Sequence, residues 1–366
     1  EGNKIKFKLL NRYRNEHYLI LEKREDKFTF PEINKRLIPS ILRDYSAPVS
    51  LKTDLTLSDH IHLLRFDDNL FKKWDICQNL HLKLLKNKNL ELFSNSIKQV
   101  INNTTIDNSI LSLILTPPSY RTFQNNLSNY DPLDLYGMRN SYLIKFYKNL
   151  EDDLYNLFKN LLEKFYINSD LKIRSLIKIL LEALCTIDNN FAKNIAEDFC
   201  DSKIMEIKMI GLTSCIKYNH SNSIKLLKKF YSEFQNDKIV LEKWFQIRSS
   251  YNNSYFDGIN SIKDILKNKN FEYKNPNFVR AIFSSFQGNN IELFHAKDGS
   301  GYKFVTDQII IIDKINPQTA ARIITPMTNI SKFNDITKNR IKRYLKKIIN
   351  SNPSNDVFEV VSKVLG

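Results

Sequence analysis

The fold is decided by the stretch from Asn275 to Arg322, which reads NPNFVRAIFSSFQGNNIELFHAKDGSGYKFVTDQIIIIDKINPQTAAR. It contains two Asn-Pro pairs, Asn275-Pro276 and Asn316-Pro317. Asn accepts hydrogen bonds from the free backbone N–H groups of a helix start, and Pro at the first helical position has no N–H to leave unpaired. Apolar residues then recur at the spacing of one helical face, from Val279 to Phe286 and from Ala320 to Met327. The stretch therefore predicts helices joined by tight polar turns.

Two arginines of this stretch lie away from the apolar faces. At about 100° per residue, Arg322 falls on the side of its helix opposite the apolar stripe, and Arg280 falls on the flank of its own. Both side chains are therefore expected to face water or a ligand. A pair of solvated surface cations is the competing interpretation, because arginine is mostly exposed in any protein.

The same helical spacing continues through the chain from Ser58 onward. It predicts helices at 58–69, 71–87, 90–103, 107–115, 132–148, 151–167, 170–185, 189–198, 201–217, 221–235, 238–249, 259–268, 276–287, 301–313, 317–329, 333–349 and 354–364. Short polar loops separate them, and no sequence repeat of fixed length is found. Many short antiparallel helices without strands between them predict a mainly α fold, an irregular ARM- or HEAT-like solenoid or superhelix over residues 53–366.

Residues 1–52 follow a different pattern. Polar and apolar residues alternate at Lys4–Leu9 and Lys27–Phe30, and further extended segments are expected at His17–Leu21 and Ser46–Leu51. This pattern predicts short β-strands. A few strands without a long helix do not make a stable domain alone. The segment is therefore interpreted either as the end of an incomplete β-sandwich or as a sheet completed by a partner.

Composition and charge limit the function classes. A chain of 366 residues with 42% apolar and 12% aromatic residues predicts a folded protein with two or more domains. The net charge of +15 comes from lysines spread along the whole chain, without an arginine-rich run, so nucleic-acid binding is not favoured. No apolar segment reaches the length of a membrane span. Because the chain begins with Glu1 rather than Met, it is interpreted as a piece of a longer protein.

No catalytic or metal-binding motif is found in the residues. There is no HExxH helix, and Asp59-His60-Ile61-His62 is the only histidine cluster. Residues two apart point to different sides of a helix, so this cluster is predicted to be a polar helix start and not a metal site. The four cysteines form no CxxC pair and are expected to be reduced and apolar, which favours a reducing, cytoplasmic compartment. The residues alone indicate a binding or scaffold module.

Several motifs resemble one family. Ile38–Val49 resembles the last strand of the Ig-like third domain of bacterial aminopeptidase N, a zinc gluzincin. Asp67–Trp74 resembles the first helix pair of that family's C-terminal superhelical domain. The resemblance extends from about residue 25 to the C-terminus. Further motifs in the family's order are Lys243-Trp244-Phe245, Lys274-Asn275-Pro276-Asn277, Phe294-His295-Ala296, Asp298-Gly299-Ser300-Gly301-Tyr302 and Asn316-Pro317-Gln318-Thr319-Ala320-Ala321-Arg322.

The resemblance implies a fold, a role and two site residues. It implies the last strands of an Ig-like domain at 1–52, followed by an α-superhelix at 53–366 that covers a catalytic domain as a lid and controls access of a peptide substrate. Arg280 and Arg322 match two arginines that face the enclosed cavity, where a guanidinium suits a peptide carboxylate or carbonyl because it presents a planar fork of donors. The zinc ion and its ligands belong to the preceding catalytic domain, on which this chain would pack. We therefore expect the chain alone to be inactive.

Two other hypotheses remain open on the sequence. The chain could be a stand-alone helical-repeat scaffold that binds another protein, or it could bind a polyanion through its positive charge. An in-frame HExxH segment in the coding DNA upstream would favour the peptidase interpretation over the first. Salt dependence of binding to a polyanion would reveal the second.

Overall fold

The computed structural model describes residues 2–9, 12–30, 33, 36–86, 90–167 and 170–366. Two short strands, β1 (Phe7–Leu9) and β2 (Arg12–Arg14), precede a chain of helices. The helices are α1 (Leu57–Phe66), α2 (Leu70–Leu84), α3 (Leu90–Ile101), α4 (Asn108–Leu115), α5 (Tyr120–Asn125), α6 (Pro132–Lys148), α7 (Glu151–Ile167), α8 (Leu171–Thr186), α9 (Asn190–Phe199), α10 (Met205–Lys217), α11 (Ser223–Phe234), α12 (Lys238–Ser250), α13 (Gly258–Ile265), α14 (Pro276–Asn289), α15 (Ile291–Phe294), α16 (Ser300–Asp313), α17 (Pro317–Thr328), α18 (Asp335–Ile349) and α19 (Asn355–Leu365). The mainly α prediction is confirmed. The helix predicted at 71–87 ends earlier, and its last residue, Asn87, lies outside the described residues.

The chain divides into two compact units, residues 1–117 and 118–366. The predicted boundary at residue 52 falls inside the first unit and stays a prediction. In this first unit α1 packs against α2 and α3, and α4 packs against α2 and α3. Asp59 forms a capping box with Thr56 at the start of α1, which confirms the polar helix start expected there.

Ion pairs hold the N-terminal segment to the helices of the first unit. The guanidinium of Arg43 contacts Asp67 at 2.7 Å, Asp68 at 2.6 Å and Glu16 at 3.1 Å. The Asp67 side chain is only 1% exposed. A buried carboxylate needs a paired cation, so Arg43 fixes this segment against the junction of α1 and α2.

The β-strand predictions are confirmed only in part. Strand β1 pairs antiparallel with β2, with Phe7 opposite Arg14. The segments 17–21, 27–30 and 46–51 form no ladder with any described residue, so these three predicted strands are wrong. An alternating pattern supplies a strand's side chains, whereas its backbone groups also need a neighbouring strand to pair with.

The second unit is a two-layered helical array. One layer, named the first layer, consists of α6, α8, α10, α12, α14, α17 and α19, each contacting the next. The intervening helices α7, α9, α11, α13, α16 and α18 pack on it. Side chains at helix starts accept hydrogen bonds from free backbone N–H groups, as predicted for Asn275 and Asn316. The arrangement is the predicted irregular solenoid.

A contact between distant parts of the chain closes this array. Residues 125–131 lie beside residues 332–337, and Tyr130 forms a parallel bridge with Phe333. Asn334 donates its backbone N–H to the Tyr130 carbonyl at 2.8 Å, and Thr337 donates its hydroxyl to Asp131 at 3.1 Å. Helix α15 also contacts α6. The early and late helices of the second unit therefore meet directly; the contact of 125–131 with 332–337 is called the closing contact below.

The turn between α15 and α16 depends on two glycines. Gly299 has φ of 76°, a left-handed conformation that favours glycine. At Gly301 an added Cβ would lie 2.2 Å from the Leu293 carbonyl oxygen and 2.4 Å from that of Phe294. The turn predicted at Asp298-Gly299-Ser300-Gly301 is confirmed, and Gly301 is required there by the close approach of α16 to α15.

Candidate functional site

Arg280 lies on the exposed side of α14, one turn after the Asn275-Pro276 start. Its Nε donates to the Pro276 carbonyl at 3.2 Å, and its guanidinium also donates to the Asn277 side chain. These contacts hold the guanidinium along the first turn of its own helix. The expected exposure of Arg280 is confirmed, whereas its contact with a peptide stays a prediction.

Arg322 is exposed on α17, the next helix of the first layer. Within the described part of the chain it has neither a hydrogen-bond partner nor a carboxylate at ion-pair distance. Helices α14 and α17 are joined by Gln287, which donates to the Ile323 carbonyl at 3.0 Å. Gln287 follows Arg280 by seven residues, about 10 Å along a helix. The two arginines therefore lie on adjacent helices.

A second group of polar side chains occupies the first layer and was not identified from the sequence. It is named the polar cluster and comes from α6, α8 and α10, from the residue that follows α10 and from the residue that follows α12. Its members are Tyr136, Arg139, Tyr147, Glu182, Thr186, Lys217, Tyr218 and Tyr251.

An ion pair between α8 and α10 is central to the polar cluster. Lys217 pairs with Glu182, and its ammonium lies 5.1 Å from the centre of the Tyr218 ring. Tyr218 donates its hydroxyl to the Glu182 carbonyl at 3.1 Å, and Thr186 lies 2.9 Å from the same hydroxyl. The side chains of Lys217 and Glu182 remain 32% and 41% exposed. Water therefore reaches this ion pair.

Electrostatics distinguishes the two cations of the polar cluster. Burial lowers the pKa of Lys217, but the nearby Tyr218 hydroxyl and Glu182 carboxylate outweigh it, so this pKa is raised overall. Burial lowers the pKa of Arg139, and the hydroxyl of Tyr147 and the carboxylate of Glu182 offset this only in part. Burial raises the pKa of Tyr147. Arg139 is therefore the less well compensated cation.

Metal binding finds no support in the described ranges, where no three His, Cys, Asp or Glu side chains come together to hold an ion. The residues present thus do not fit the zinc ion that the family resemblance implies. All four cysteines are buried and free, as expected. In the part of the chain that the structure describes, no helix has the length and apolar character needed to cross a bilayer.

Two family models match the chain in succession. Residues 57–366 match a family described as a domain of unknown function (DUF3458_C) with ARM repeats. Residues 1–54 match a family described as a domain of unknown function (DUF3458) with an Ig-like fold.

Curated relatives extend the comparison to whole proteins. Aminopeptidase N of Haemophilus influenzae is 28% identical over 361 residues, which cover 95% of this chain and 41% of that protein. Aminopeptidase N of Caulobacter vibrioides is 26% identical, with 96% of this chain and 42% of that protein covered. Aminopeptidase N of Escherichia coli is 23% identical, with 93% and 41% covered. The chain thus spans about two fifths of the length of the curated relatives it matches.

A solved structure agrees with these relatives. Legionella pneumophila aminopeptidase A, crystallised in complex with aspartic acid, superposes on 95% of this chain with a TM-score of 0.83 and 27% identity. The match covers 43% of that protein. The likeness therefore includes both the N-terminal segment and the helical array.

Proposed function

The chain belongs to the family of Ig-like and ARM-repeat domains that forms the C-terminal part of aminopeptidase N, and on this premise we propose that it is the lid and scaffold region of a zinc metalloaminopeptidase. In this role it encloses the active-site cavity and controls the access of peptides from which N-terminal residues are removed. The match to Legionella aminopeptidase A over 95% of the chain carries the proposal, because two consecutive domains agree with one protein in order and in fold.

Arg280 and Arg322 are proposed as the residues of this region that contact the peptide. Both guanidiniums are exposed on neighbouring helices of the first layer. Arg322 has its donors available, since the described residues offer it no carboxylate. An arginine fork binds a carboxylate or a pair of carbonyl oxygens with two parallel hydrogen bonds, whereas a lysine offers a point charge.

The zinc ion and the catalytic groups are proposed to lie outside this chain. The described residues bring no metal-ligand group together, so no step of the reaction is assigned to them. We expect the purified chain to release no product from alanine p-nitroanilide, with or without added zinc. Activity in the purified chain that a chelator abolishes would contradict this.

Exposed apolar side chains of the N-terminal segment support the proposal that this segment packs against a further part of the same protein. Tyr18, Ile20 and Leu21 are 87%, 72% and 69% exposed. Such a run of apolar side chains on an extended backbone favours a covering surface.

The four buried free thiols favour a reducing compartment, and we propose that the protein is cytoplasmic.

The function is tested on the protein encoded by the whole open reading frame. If its upstream part contains HExxH, Arg280→Lys and Arg322→Lys are compared with Arg121→Lys, a matched change at an exposed arginine of α5. Loss of the fork is expected to raise KM for a tetrapeptide about tenfold and to leave KM for alanine p-nitroanilide unchanged. An equal effect of all three substitutions would contradict the assigned role. A stop codon directly upstream would contradict the peptidase interpretation.

A further inference from the structure

Two of the four buried thiols lie against each other. The Cys200 Sγ is 3.9 Å from the Cys215 Sγ, a distance close to van der Waals contact between two sulfur atoms. Cys200 directly follows the last residue of α9, and Cys215 lies on α10. Within the described ranges, neither Cys77 nor Cys185 has a second thiol at such a distance. Cys200 and Cys215 are therefore the pair whose sulfur atoms can be joined.

A close approach of α9 to α10 produces this pair. A Cβ added at Gly211 of α10 would lie 2.5 Å from the Ala196 carbonyl oxygen and 2.9 Å from the Cys200 backbone nitrogen. Gly211 and Cys215 are four residues apart and therefore lie on one face of α10. A disulfide needs its sulfur atoms at about 2 Å, so these two must move about 2 Å closer. Rotation of both side chains, with adjustment of the non-helical residues 201–204, covers this distance.

A small cavity gives an oxidant access to Cys200. Its volume is about 10 Å³, which holds one water-sized molecule, and it is partly open to solvent. Cys200 lines it together with Phe230 and with Lys208 and Glu233, which form an ion pair at 2.8 Å. Cys215 does not line the cavity and has no exposed surface. The two thiols therefore differ: Cys200 lies at the entry of a small reagent, and Cys215 lies behind it.

The surroundings of Cys215 suit a thiol that reacts second. The contact with Cys200 and burial both raise the pKa of the Cys215 thiol, so this thiol stays protonated and does not react with oxidants in solution. An attack by Cys215 on an oxidised Cys200 depends instead on proximity, because the two sulfur atoms are already held side by side.

We propose that Cys200 and Cys215 are a modification site that forms a reversible disulfide with hydrogen peroxide, and that Cys200 is the thiol oxidised first. Hydrogen peroxide is an oxidant of nearly the size of water, as the cavity requires. The bond would join the end of α9 to α10 and would be transient in a reducing compartment. The site is independent of Arg280 and Arg322 and goes beyond the proposed function.

The chemistry takes two steps. The Cys200 sulfur attacks one peroxide oxygen, the O–O bond breaks, and the released hydroxide leaves as water with the thiol proton, which makes Cys200 a sulfenic acid. The Cys215 sulfur then attacks the Cys200 sulfur, the S–O bond breaks, and a second water leaves with the Cys215 proton. In total the two thiols lose two electrons and two protons, and one peroxide becomes two waters. A dithiol reductant reverses the bond by thiol–disulfide exchange.

Peptide mapping of the peroxide-treated 366-residue chain tests the pair directly. Residues 194–203 and 209–217 are tryptic peptides that contain one cysteine each, Cys200 and Cys215. After treatment with millimolar peroxide, and alkylation of the remaining thiols in urea, we expect these two peptides to be linked, with about 2 Da missing from their summed mass. Dithiothreitol should release both peptides. Cys77 and Cys185 should be alkylated as in the untreated chain.

Variants test the order of the two steps. In Cys215→Ala the sulfenic acid of Cys200 has no partner, so dimedone should label Cys200 at least about tenfold more than in the parent. In Cys200→Ala, dimedone should label Cys215 at least about tenfold less than it labels Cys200 in Cys215→Ala, because Cys215 does not line the cavity. Cys185→Ala is the matched control, since it removes another buried thiol and should leave the linked peptides unchanged. Far-UV circular dichroism checks folding, and the map of the parent chain needs no variant.

The proposal is overturned by any of the following results. Peptides that stay unlinked in the peroxide-treated parent, or that become linked only when urea is present during treatment, would show that the oxidant does not reach the pair in the folded protein. Sulfinic acid at Cys200 beside an unmodified Cys215 in the parent would show that the two thiols do not couple. Equal dimedone labelling of Cys200 in Cys215→Ala and of Cys215 in Cys200→Ala would contradict the assigned order. Loss of the linked peptides in Cys185→Ala would assign the bond to the wrong cysteines.

Discussion

His295 makes the second unit sensitive to acid in a predictable direction. The side chain is buried, and its Nδ1 lies 2.6 Å from the Tyr302 hydroxyl. The rings of Phe294 and Phe333 lie 4.6 and 5.7 Å from its own, centre to centre. Burial lowers the pKa of His295 from its ordinary value of 6.5 to about 3. The folded protein therefore keeps this imidazole neutral at pH values where the unfolded chain protonates it.

The sign and size of the effect follow from proton linkage. Between pH 6.5 and pH 3 the unfolded chain binds one more proton at His295 than the folded protein does. The contribution of His295 to the free energy of unfolding is therefore complete above pH 6.5 and is lost as pH falls. With these two pKa values, lowering the pH from 8 to 5 removes about 2 kcal/mol from the free energy of unfolding. In His295→Gln the amide can still bond Tyr302 but does not titrate. The variant should therefore lose about 2 kcal/mol less than the parent over the same interval.

Urea unfolding followed by tryptophan fluorescence measures this difference. The chain has two tryptophans, and Trp74→Phe leaves Trp244, which packs against the core of the second unit, as the only reporter. His60 and His220 also have lowered pKa values because of burial, but both proteins contain them, so their effect cancels.

Tyr302→Phe is the matched control, because it removes the hydrogen bond and keeps the buried imidazole. We expect it to lower the free energy of unfolding at both pH values and to retain the parent's pH dependence. An equal loss of stability between pH 8 and pH 5 in the parent and in His295→Gln would refute the reasoning, since His295 would then not be neutral in the folded protein.

Further predictions concern backbone packing and buried charge. Gly301→Ala should cost about 2 kcal/mol of unfolding free energy in urea, because its Cβ would clash with carbonyl oxygens of α15. Gly288→Ala, whose added Cβ would meet no described atom within 4 Å outside the nearby backbone of its own helix, should instead stabilise by about 0.5 kcal/mol, and equal effects would contradict the packing explanation. Arg43→Met should cost about 3 kcal/mol, measured by Trp74 fluorescence, because it leaves the Asp67 carboxylate buried without its cation. Lys267→Met, in an exposed pair, should change stability by less than about 0.5 kcal/mol; a similar cost for both would refute the role of burial.

Most helices of this protein were predictable because their signals are local. Asn275-Pro276 and Asn316-Pro317 start α14 and α17 where the sequence indicates. Helices α5 and α15 were missed, since six and four residues are too few to show a helical period. Strand pairing was predicted less well than helices because it depends on a neighbour that the pattern of one segment does not specify.

The candidate sites also differ in how far they could be predicted from the sequence. Exposure of Arg280 and Arg322 follows from their position on one helix face, which the sequence shows directly. The polar cluster was missed because its residues come from α6, α8 and α10 and from the residues that follow α10 and α12. Each tyrosine alone matches the pattern of an ordinary amphipathic helix. Only the side-by-side order of α6, α8, α10 and α12 brings their charges together.

The closing contact also sets an order of events during protein synthesis. Tyr130 leaves the ribosome about 200 residues before its partner Phe333 does. At ordinary elongation rates this interval lasts about 10 to 40 seconds. Throughout it the Tyr130 ring and the Asp131 carboxylate lack the partners that the finished fold gives them. The nascent second unit can therefore add helices one by one, but it acquires its final stability only after α18 has emerged.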